Sequence, residues 1–437
     1  MKLKKFFVIT LVLFFFTGQS AFSADATYEK LKIMIDVMEI IKNSYVDEKD
    51  TKDMAAGAIR GVVSTLDPFS QYMEEKAYKD MKEETAGEFS GIGIRIMSKN
   101  DFITVVSPIQ ETPAYKAGML PGDRIIKING KNAVKMNQEE AVKMMKGKPG
   151  TKVTITVSRD NVIDPIEFVL KRDKIKIETV RSILLDGDIA YVRLTEFNAK
   201  SAQDVEDAFD KLVKQGAKGF IFDLRNNPGG LLDSAIDIIS LFKKDKVLAL
   251  TTKGRNESMK REYFTNGRAK FEKIPIIILV NRGSASASEI VTGAMQDFKR
   301  ALIMGANTFG KGSVQTILPL SDGTALRLTI AKYYLPSGRP ITRAEGSNDK
   351  NGVTPDIEFK LTIEDEIKLY IQSDLILEKY KKGAVKTEIA KSSAAVSKSS
   401  DTAVKDAKKD DIEDIVLAEA IKIMKDNKVE EKIKSKK

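Results

Sequence analysis

Two residues of the chain have the types and spacing that suit nucleophilic catalysis, Ser286 and Lys311. Ser286 is the middle serine of residues 284–288, where serine and alanine alternate, and Lys311 stands between two glycines. A serine hydroxyl becomes an effective nucleophile when a neighbouring base removes its proton. A lysine can be that base if burial lowers the pKa of its amine from about 10.4 to the ~7–8 suited to proton transfer. The pair therefore indicates acyl transfer by an activated serine.

The composition excludes the catalytic groups that enzymes use most often. The 437 residues include no histidine and no cysteine, which rules out Ser-His-Asp triads, cysteine nucleophiles, thiol redox chemistry and zinc sites built from His or Cys. The composition does not exclude metal sites built from oxygen ligands alone. We nevertheless predict no cofactor and no metal site. Catalysis must then rely on Ser, Lys, Asp, Glu, Tyr or backbone amides.

A regular alternation of strands and helices predicts the framework that holds these residues. Apolar runs and helical periodicity give the strands 189–194, 219–224, 247–250 and 276–280 and the helices 201–215, 231–242 and 286–298. This alternation is typical of helices packed on a largely parallel sheet, with chemistry at the carboxyl ends of the strands. Ser286 then lies at a helix start, where free N–H groups favour negative charge. An ordinary N-cap serine is the alternative.

Residues 223–230 offer hydrogen-bond donors for an oxyanion. The segment follows a strand that is apolar on both faces and opens a helix, so its amides can point into the same cleft as Ser286. It ends in Gly229 and Gly230. A strand-to-helix turn that simply requires glycine is the other interpretation.

A separate module is predicted at residues 87–171. Short β-type runs surround glycine turns at 91–96, 102–106, 124–128, 153–157 and 166–170, with one helix at 138–146. This pattern predicts a compact five-stranded domain. The turn formed by Gly91, Ile92, Gly93 and Ile94 exposes consecutive N–H groups that can hold a carboxylate. A glycine turn without a ligand is the simpler alternative.

Two further segments, 113–118 and 120–130, make this module resemble a PDZ domain of the bacterial protease type. The resemblance implies that an extended peptide adds as a strand beside residues 92–96 and that its terminal carboxylate meets the turn amides. The expected partners are therefore protein or peptide substrates bound by their C-termini.

The catalytic segments resemble the carboxyl-terminal processing proteases, also called tail-specific proteases, of bacteria and plastids. The resemblance implies Ser286 as the nucleophile, Lys311 as the base and Gln315 as the side chain that supports the base. It also implies that a backbone N–H of the glycine pair, with Gly230 favoured, acts with that of Ala287 on the oxyanion. It further suggests that the PDZ module can occlude or align the active site.

The chain divides into seven predicted segments, and the family resemblance covers about residues 30–355. The segments are a signal peptide (1–23), an N-terminal helical segment (24–86), the PDZ domain (87–171), an α/β serine protease core (172–360), a helical C-terminal extension (361–385), a flexible linker (386–410) and a C-terminal helix (411–437). The predicted fold class is an α/β protease core with a mixed, largely parallel sheet, an inserted five-stranded PDZ domain and helical N- and C-terminal segments.

The first residues predict export. Lysines at positions 2, 4 and 5 precede an apolar run at 6–16 and small residues at 18–24, with cleavage expected near Ser23. The apolar run is short for a membrane span of about 20 residues, and a retained anchor is the alternative. We expect a periplasmic or cell-envelope protein.

The charge pattern bears on the remaining partners. The formal charge of +10 comes from lysines scattered among acids, which favours a solvated basic surface over nucleic-acid binding. Peripheral membrane association stays open, as do a homo-oligomer or an adaptor at the helical ends, 28–46 and 412–424. The favoured function is an exported serine endopeptidase that processes or degrades envelope proteins. A non-catalytic PDZ scaffold or chaperone is the alternative, whereas a penicillin-binding-type enzyme lacks its companion motifs.

Overall fold

Two parts of the chain form separate units in the computed structural model. The first comprises Met1–Glu74 with Ile317–Leu328, and the second comprises Glu75–Thr316 with Thr329–Lys437. The structure describes residues 21–99, 101–109, 111–120, 122–159, 162–342, 352–371, 373, 380 and 413–435. Residues 1–20 of the predicted signal peptide and the whole predicted linker, 386–410, lie outside the described residues.

The first unit contains the helices α1 (Ala21–Ser44) and α2 (Thr51–Ser64) and the strand β1 (Gln71–Met73). Both helices that the apolar spacing predicts, 28–46 and 54–66, are present, and both begin earlier than predicted. The Asp50 side chain caps α2 by accepting a hydrogen bond from the Lys52 N–H at 2.8 Å. β1 pairs antiparallel with residues 325–327. None of the described helices is both long enough and apolar enough to cross a membrane.

The second unit begins with the elements that surround the predicted binding module. They are α3 (Glu75–Thr85), β2 (Glu88–Gly91), β3 (Ile94–Lys99), β4 (Phe102–Pro108), α4 (Pro113–Lys116), β5 (Arg124–Ile128), β6 (Lys131–Asn132), α5 (Gln138–Met145), β7 (Lys152–Ser158), β8 (Ile166–Lys171) and β9 (Asp173–Lys176). An antiparallel sheet has the order β3-β4-β5-β7-β8, and the two-residue β6 pairs with β5. Every second residue of β7 is buried, as a strand with one face on a core requires.

The sequence predicts one strand at 91–96, and this prediction is wrong for residues 92 and 93. β2 ends at Gly91 and β3 begins at Ile94, so the residues between them form a turn. Gly93 in this turn has a φ of +78°, and a Cβ there would come within 2.3 Å of the Thr112 Cβ. Only glycine fits such a conformation without strain, which explains why the strand is interrupted here.

The catalytic segments belong to the elements from residue 180 to residue 371. They are β10 (Val180–Leu185), β11 (Ile189–Leu194), α6 (Ser201–Lys214), β12 (Gly219–Asp223), α7 (Leu232–Ser240), β13 (Leu248–Gly254), β14 (Arg261–Phe264), β15 (Ile276–Val280), α8 (Ala287–Asp297), β16 (Leu302–Gly305), β17 (Ser313–Pro319), β18 (Ala325–Tyr334), β19 (Ile357–Glu358) and α9 (Ile363–Ile371). A six-stranded sheet has the order β10-β11-β12-β15-β16-β19, in which only β10 and β11 pair antiparallel. β11, β12 and β15 are buried along their whole length. Their two-sided apolar sequences follow from this central position.

Hydrophobic side chains cover both faces of the six-stranded sheet. On one face, α6, α7 and α8 pack over Phe220, Phe222 and Ile278. On the other face lie two C-terminal helices, α10 (Ile415–Lys425) and α11 (Val429–Lys434), which pack with Ile221 and Ile277. The C-terminal amphipathic helix that the sequence predicts is therefore part of the core.

Four phenylalanines form the centre of the first face. The rings of Phe209 and Phe220 stack with centroids 4.1 Å apart, and Phe242 and Phe271 contact Phe209 edge-on at 5.8 and 5.7 Å. Aromatic rings in such arrangements contribute beyond the burial of their area. This cluster fixes α6 on the sheet.

We predict that Phe209→Ala lowers the free energy of unfolding by about 3–5 kcal/mol, because it removes a fully buried ring and leaves a cavity. Urea denaturation followed by circular dichroism measures the change. Phe264→Ala is the matched control, since that ring is 44% exposed, and it should cost less than about 1 kcal/mol. Equal losses for both variants would contradict the proposed core.

Candidate active site

Ser286 occupies the N-cap of α8, directly beyond the loop that follows β15. Its φ of +53° and ψ of −114° are rarely adopted by a residue with a Cβ, at a cost on the order of 1–3 kcal/mol. Its residue surface is 8% exposed. Ser286 is therefore held in a strained conformation at the positive end of a helix. The sequence predicts the position at the helix start, but not the strain.

The two neighbouring serines are used for structure. The Ser284 hydroxyl donates to the Leu224 carbonyl oxygen at 2.8 Å, and the Ser288 hydroxyl donates to the Asn227 carbonyl oxygen at 2.9 Å. Both serines are fully buried. These two hydrogen bonds attach the loop around Ser286 to the segment after β12, and Ser286 remains the candidate nucleophile of the three serines.

The Glu289 carboxylate connects the predicted nucleophile to the predicted base. Its Oε2 accepts hydrogen bonds from the backbone N–H groups of Ser286 and Lys311, each at 2.9 Å. Its Oε1 accepts from the Thr308 hydroxyl at 2.6 Å and from the Gly310 N–H at 2.7 Å. One oxygen therefore brings the main chain at residue 286 and the main chain at residue 311 together.

The same carboxylate is completely buried. Burial raises the pKa of Glu289 above its ordinary value, and its four hydrogen bonds, which stabilise the charged form, offset this effect only in part. All four donors point at the oxygens, and an ionised carboxylate offers acceptors only. The geometry of the four donors therefore suits an ionised carboxylate.

The glycine pair lies against Ser286. A Cβ on Gly229 would come within 2.8 Å of the Ser286 Cβ and within 2.9 Å of the Ala287 nitrogen. The Gly229 N–H is already used, because it donates to the Asn227 Oδ1 at 2.9 Å. No described residue accepts a hydrogen bond from the Gly230 N–H. Ala287 is the first residue of α8, where N–H groups have no partner within the helix.

A cleft of about 460 Å³ opens beside these residues. Gly230, Gln315 and Tyr333 are among its lining residues, together with Leu231, Leu232, Asp233, Thr252, Ser258, Met259, Arg261, Tyr263, Val314, Thr316, Ile330 and Ala331. Gln315 is a half-buried residue of β17. Lys311 lies just before β17 and is also half-buried, with its backbone on Glu289.

Tyr333 is a site residue that the sequence does not reveal. It lines the cleft, and its side chain lies near that of Ser286. Burial raises the pKa of Tyr333 to about 12, so its hydroxyl stays neutral at any pH near neutrality. Glu289 was equally missed, although Ser-x-x-Glu at 286–289 is the sequence signature of a capping box, and that signal marks it.

The predicted carboxylate-binding residues also come together. Gly91, Ile92, Gly93 and Ile94 line a small groove with Phe89, Ile96, Val142, Met145 and Lys146, between the turn, β3 and α5. β3 is an edge strand of its sheet, with one side unpaired. The groove therefore has a free strand edge along one side and the end of a helix along the other. Among the described residues, no cluster of three or more acidic side chains could hold a metal ion.

Comparison with known proteins agrees with these features. Residues 188–359 match the sequence model of peptidase family S41, residues 80–158 match the PDZ domain, and residues 17–77 match the activating protease CtpB N-terminal domain. A carboxy-terminal-processing protease of Bartonella bacilliformis is 42% identical over 348 residues, covering 79% of this chain and 78% of the relative. The carboxy-terminal processing protease CtpA of Bacillus subtilis is 37% identical over 409 residues, covering 89% and 83%.

Among solved structures, a photosystem II D1 C-terminal processing protease is 28% identical, with a TM-score of 0.44 and coverage of 75% of this chain and 92% of that one. The sequence identities over most of both chains are what decide the assignment. Together with the peptidase and PDZ matches, they show that the chain belongs to the carboxy-terminal-processing proteases of peptidase family S41.

Proposed function

We propose that this family member is an exported serine endopeptidase that cleaves polypeptides with a Ser286/Lys311 dyad. The observation that supports the dyad best is the shared Glu289 oxygen, which accepts from the backbone of both residues. The strained N-cap position of Ser286 and the structural hydrogen bonds of its two serine neighbours support the same assignment.

The reaction follows from the chemistry of the two side chains. Neutral Lys311 takes the hydroxyl proton of Ser286 while the Ser286 oxygen forms a bond to the carbonyl carbon of the substrate. The Lys311 ammonium then gives that proton to the departing amine, and the scissile C–N bond breaks. Lys311 then takes a proton from water as the water oxygen bonds to the acyl carbon, and it returns that proton to the Ser286 oxygen when the ester C–O bond breaks. Gln315 orients the Lys311 amine without adding charge.

The oxyanion of each tetrahedral intermediate is stabilised by two backbone donors, Gly230 and Ala287. The use of the Gly229 N–H by Asn227 favours Gly230 as the donor of the pair. Ala287 adds the N–H group and dipole of the α8 start. Loss of one such donor costs serine proteases about 10²–10³ in kcat, so these two amides supply much of the rate acceleration.

We propose that the PDZ domain selects substrates by their free C-terminus. An extended peptide would add as a strand at the open edge of β3, with its carboxylate at Gly91, Ile92, Gly93 and Ile94. Lys146 lines the same groove and adds a positive charge for that carboxylate. Its amine lies 3.8 Å from the Asp80 carboxylate.

Export is the proposed route of the protein to its substrates. The basic, apolar and small-residue sections of residues 1–24 have the order of a secretory signal, and they support a periplasmic or cell-envelope location with envelope proteins as substrates. A homo-oligomer or an adaptor at the helical ends stays a proposal of the same kind.

We predict that Ser286→Ala and Lys311→Arg each lower kcat/KM on an unfolded polypeptide at least about 10³-fold, because nucleophile and base act as one unit. Arginine keeps the charge of lysine but cannot be deprotonated, so Lys311→Arg isolates the role of the base. Fragment formation followed by mass spectrometry measures the rates. The controls Ser337→Ala and Lys332→Ala change exposed residues and should keep full activity. A fully active Ser286→Ala variant would refute the proposed function.

We predict that Glu289→Gln lowers kcat/KM at least about tenfold. The amide nitrogen of glutamine would replace one acceptor oxygen and face donors, which breaks the link between Ser286 and Lys311. Steady-state peptidase assays measure the loss, and far-ultraviolet circular dichroism checks the fold. Glu364→Gln makes the same change on a side chain that is 77% exposed and should have no effect. Wild-type activity of Glu289→Gln would show that the carboxylate charge is dispensable.

We predict that amidation of a peptide's C-terminus weakens its binding about tenfold or more, which corresponds to about 1.4 kcal/mol or more. Fluorescence anisotropy on the full chain with Ser286→Ala measures binding without cleavage. Lys146→Met should reduce the difference between acid and amide, because it removes the cation from the groove. Lys143→Met, one turn earlier and exposed, is the matched control. Equal affinity for acid and amide would remove the proposed role of the turn.

A further inference from the structure

We infer that Asp414, at the start of the C-terminal helix α10, is a positioning residue for the oxyanion site and acts on it through Arg225. The inference rests on the proposed function, because it assigns a role to the loop that carries Gly230. It gives the C-terminal segment a part in catalysis beyond covering the sheet. Three sets of contacts carry it.

The first set joins α10 to Arg225. The Arg225 Nη1 lies 3.0 Å from the Asp414 Oδ1 and 2.8 Å from its Oδ2. Asp414 is 4% exposed, and the Arg225 side chain is 13% exposed, so the pair is shielded from solvent. A buried ion pair is costly to break on one side only, since the remaining charge stays in a low dielectric.

The second set fixes Arg225 from the other side. Its Nε and Nη2 donate to the carboxylate of Asp223, the last residue of β12, at 3.0 and 2.6 Å. The Tyr191 hydroxyl donates to the same carboxylate at 2.6 Å. Although burial raises the pKa of Asp223, the Arg225 charge and these hydrogen bonds more than offset it and hold the pKa below its usual range. Arg225 is thus clamped between one carboxylate of the sheet and one of α10.

The third set leads from Arg225 to the site. Arg225 begins the segment that runs to Gly230, and its neighbour Asn226 donates its N–H to the Asn281 Oδ1 at 2.8 Å. The Asn227 carbonyl oxygen accepts from the Ala285 N–H at 3.0 Å and from the Ser288 hydroxyl. The loop that Arg225 anchors is therefore bonded on both sides of Ser286.

Asp414 reaches this position because α10 is folded onto the core. Val416, Leu417 and Ala420 are at most 1% exposed and pack against the sheet. Asp414 also caps the helix, since its Oδ1 accepts from the Leu417 N–H at 3.0 Å. One carboxylate therefore fixes the start of the helix and, at the same time, the guanidinium at the base of the oxyanion loop.

Loss of the Asp414 charge should slow the chemical step more than it weakens substrate binding. Without the Asp414 charge, the Arg225 guanidinium has a carboxylate on one side only, and the first residue of the segment that runs to Gly230 is held less firmly. An oxyanion donor works only when it points at the place where charge develops. A small displacement of the Gly230 N–H should weaken binding of the transition state more than binding of the substrate.

The test uses the full chain with Asp414→Asn. Asparagine has nearly the volume of aspartate and remains a good N-cap residue, so α10 keeps its start, but the charge facing Arg225 is lost. We expect kcat to fall between about 10-fold and about 100-fold, less than the loss of a whole donor, with KM within about twofold. We also expect the affinity for a peptide boronic acid, whose adduct with Ser286 mimics the tetrahedral intermediate, to fall by the same factor as kcat/KM.

The controls separate this role from stability and from the proposed function itself. Asp426→Asn makes the same substitution at the exposed end of α10 and should leave kcat unchanged. Ser286→Ala must be inactive; if it is active, the proposed function fails and not merely the role of Asp414. If Ser286→Ala is inactive while folded Asp414→Asn keeps wild-type kcat, the inference is overturned. It is equally overturned if kcat falls but the boronic acid binds as tightly as to the wild type.

Discussion

The candidate active site depends on one buried carboxylate. Glu289 holds the backbone of Ser286 and of Lys311 with a single oxygen, and its other oxygen holds Thr308 and Gly310. Removing an anion from water is expensive, and four charge-assisted hydrogen bonds offset part of that cost while their donors stay in place. The carboxylate therefore stabilises one conformation of two chain segments that are far apart in sequence. The strained backbone of Ser286 persists because this network determines it.

The parallel sheet explains why these segments meet at all. β12 and β15 are hydrogen-bonded neighbours that run in the same direction, so the loops beyond their carboxyl ends lie side by side. The loop after β12 supplies the glycine pair, and the loop after β15 supplies Ser286. Hydrogen bonds from Ser284 and Ser288 to the first loop lock the two together. Ser284 and Ser288 resemble candidate nucleophiles in the sequence. In the structure their hydroxyls donate to main-chain carbonyl oxygens and hold the two loops together.

The two faces of that sheet are covered by helices from different parts of the chain. The face under α6, α7 and α8 holds the phenylalanine cluster and carries Ser286 at the start of α8. The opposite face is closed by α10, and its N-cap Asp414 pairs with Arg225 below the glycine loop. A residue of the C-terminal segment therefore pairs with the arginine at the start of the glycine loop. The PDZ groove is formed differently. A glycine turn separates β2 from β3, and β3 is an edge strand of its sheet.

The sequence by itself determined the elements whose signal is local. β11 and β15 have the predicted bounds, because central strands are continuous apolar runs, and α8 begins where small residues give way to helical spacing. It missed α3, which is mostly polar and buries no residue, and the break at Gly93. Only the tertiary structure decided that Tyr333 lies near Ser286, that Glu289 also holds Lys311, and that α10 belongs to the core. These contacts join residues of distant segments, and a pairing across the fold depends on how the chain packs, which no local pattern records.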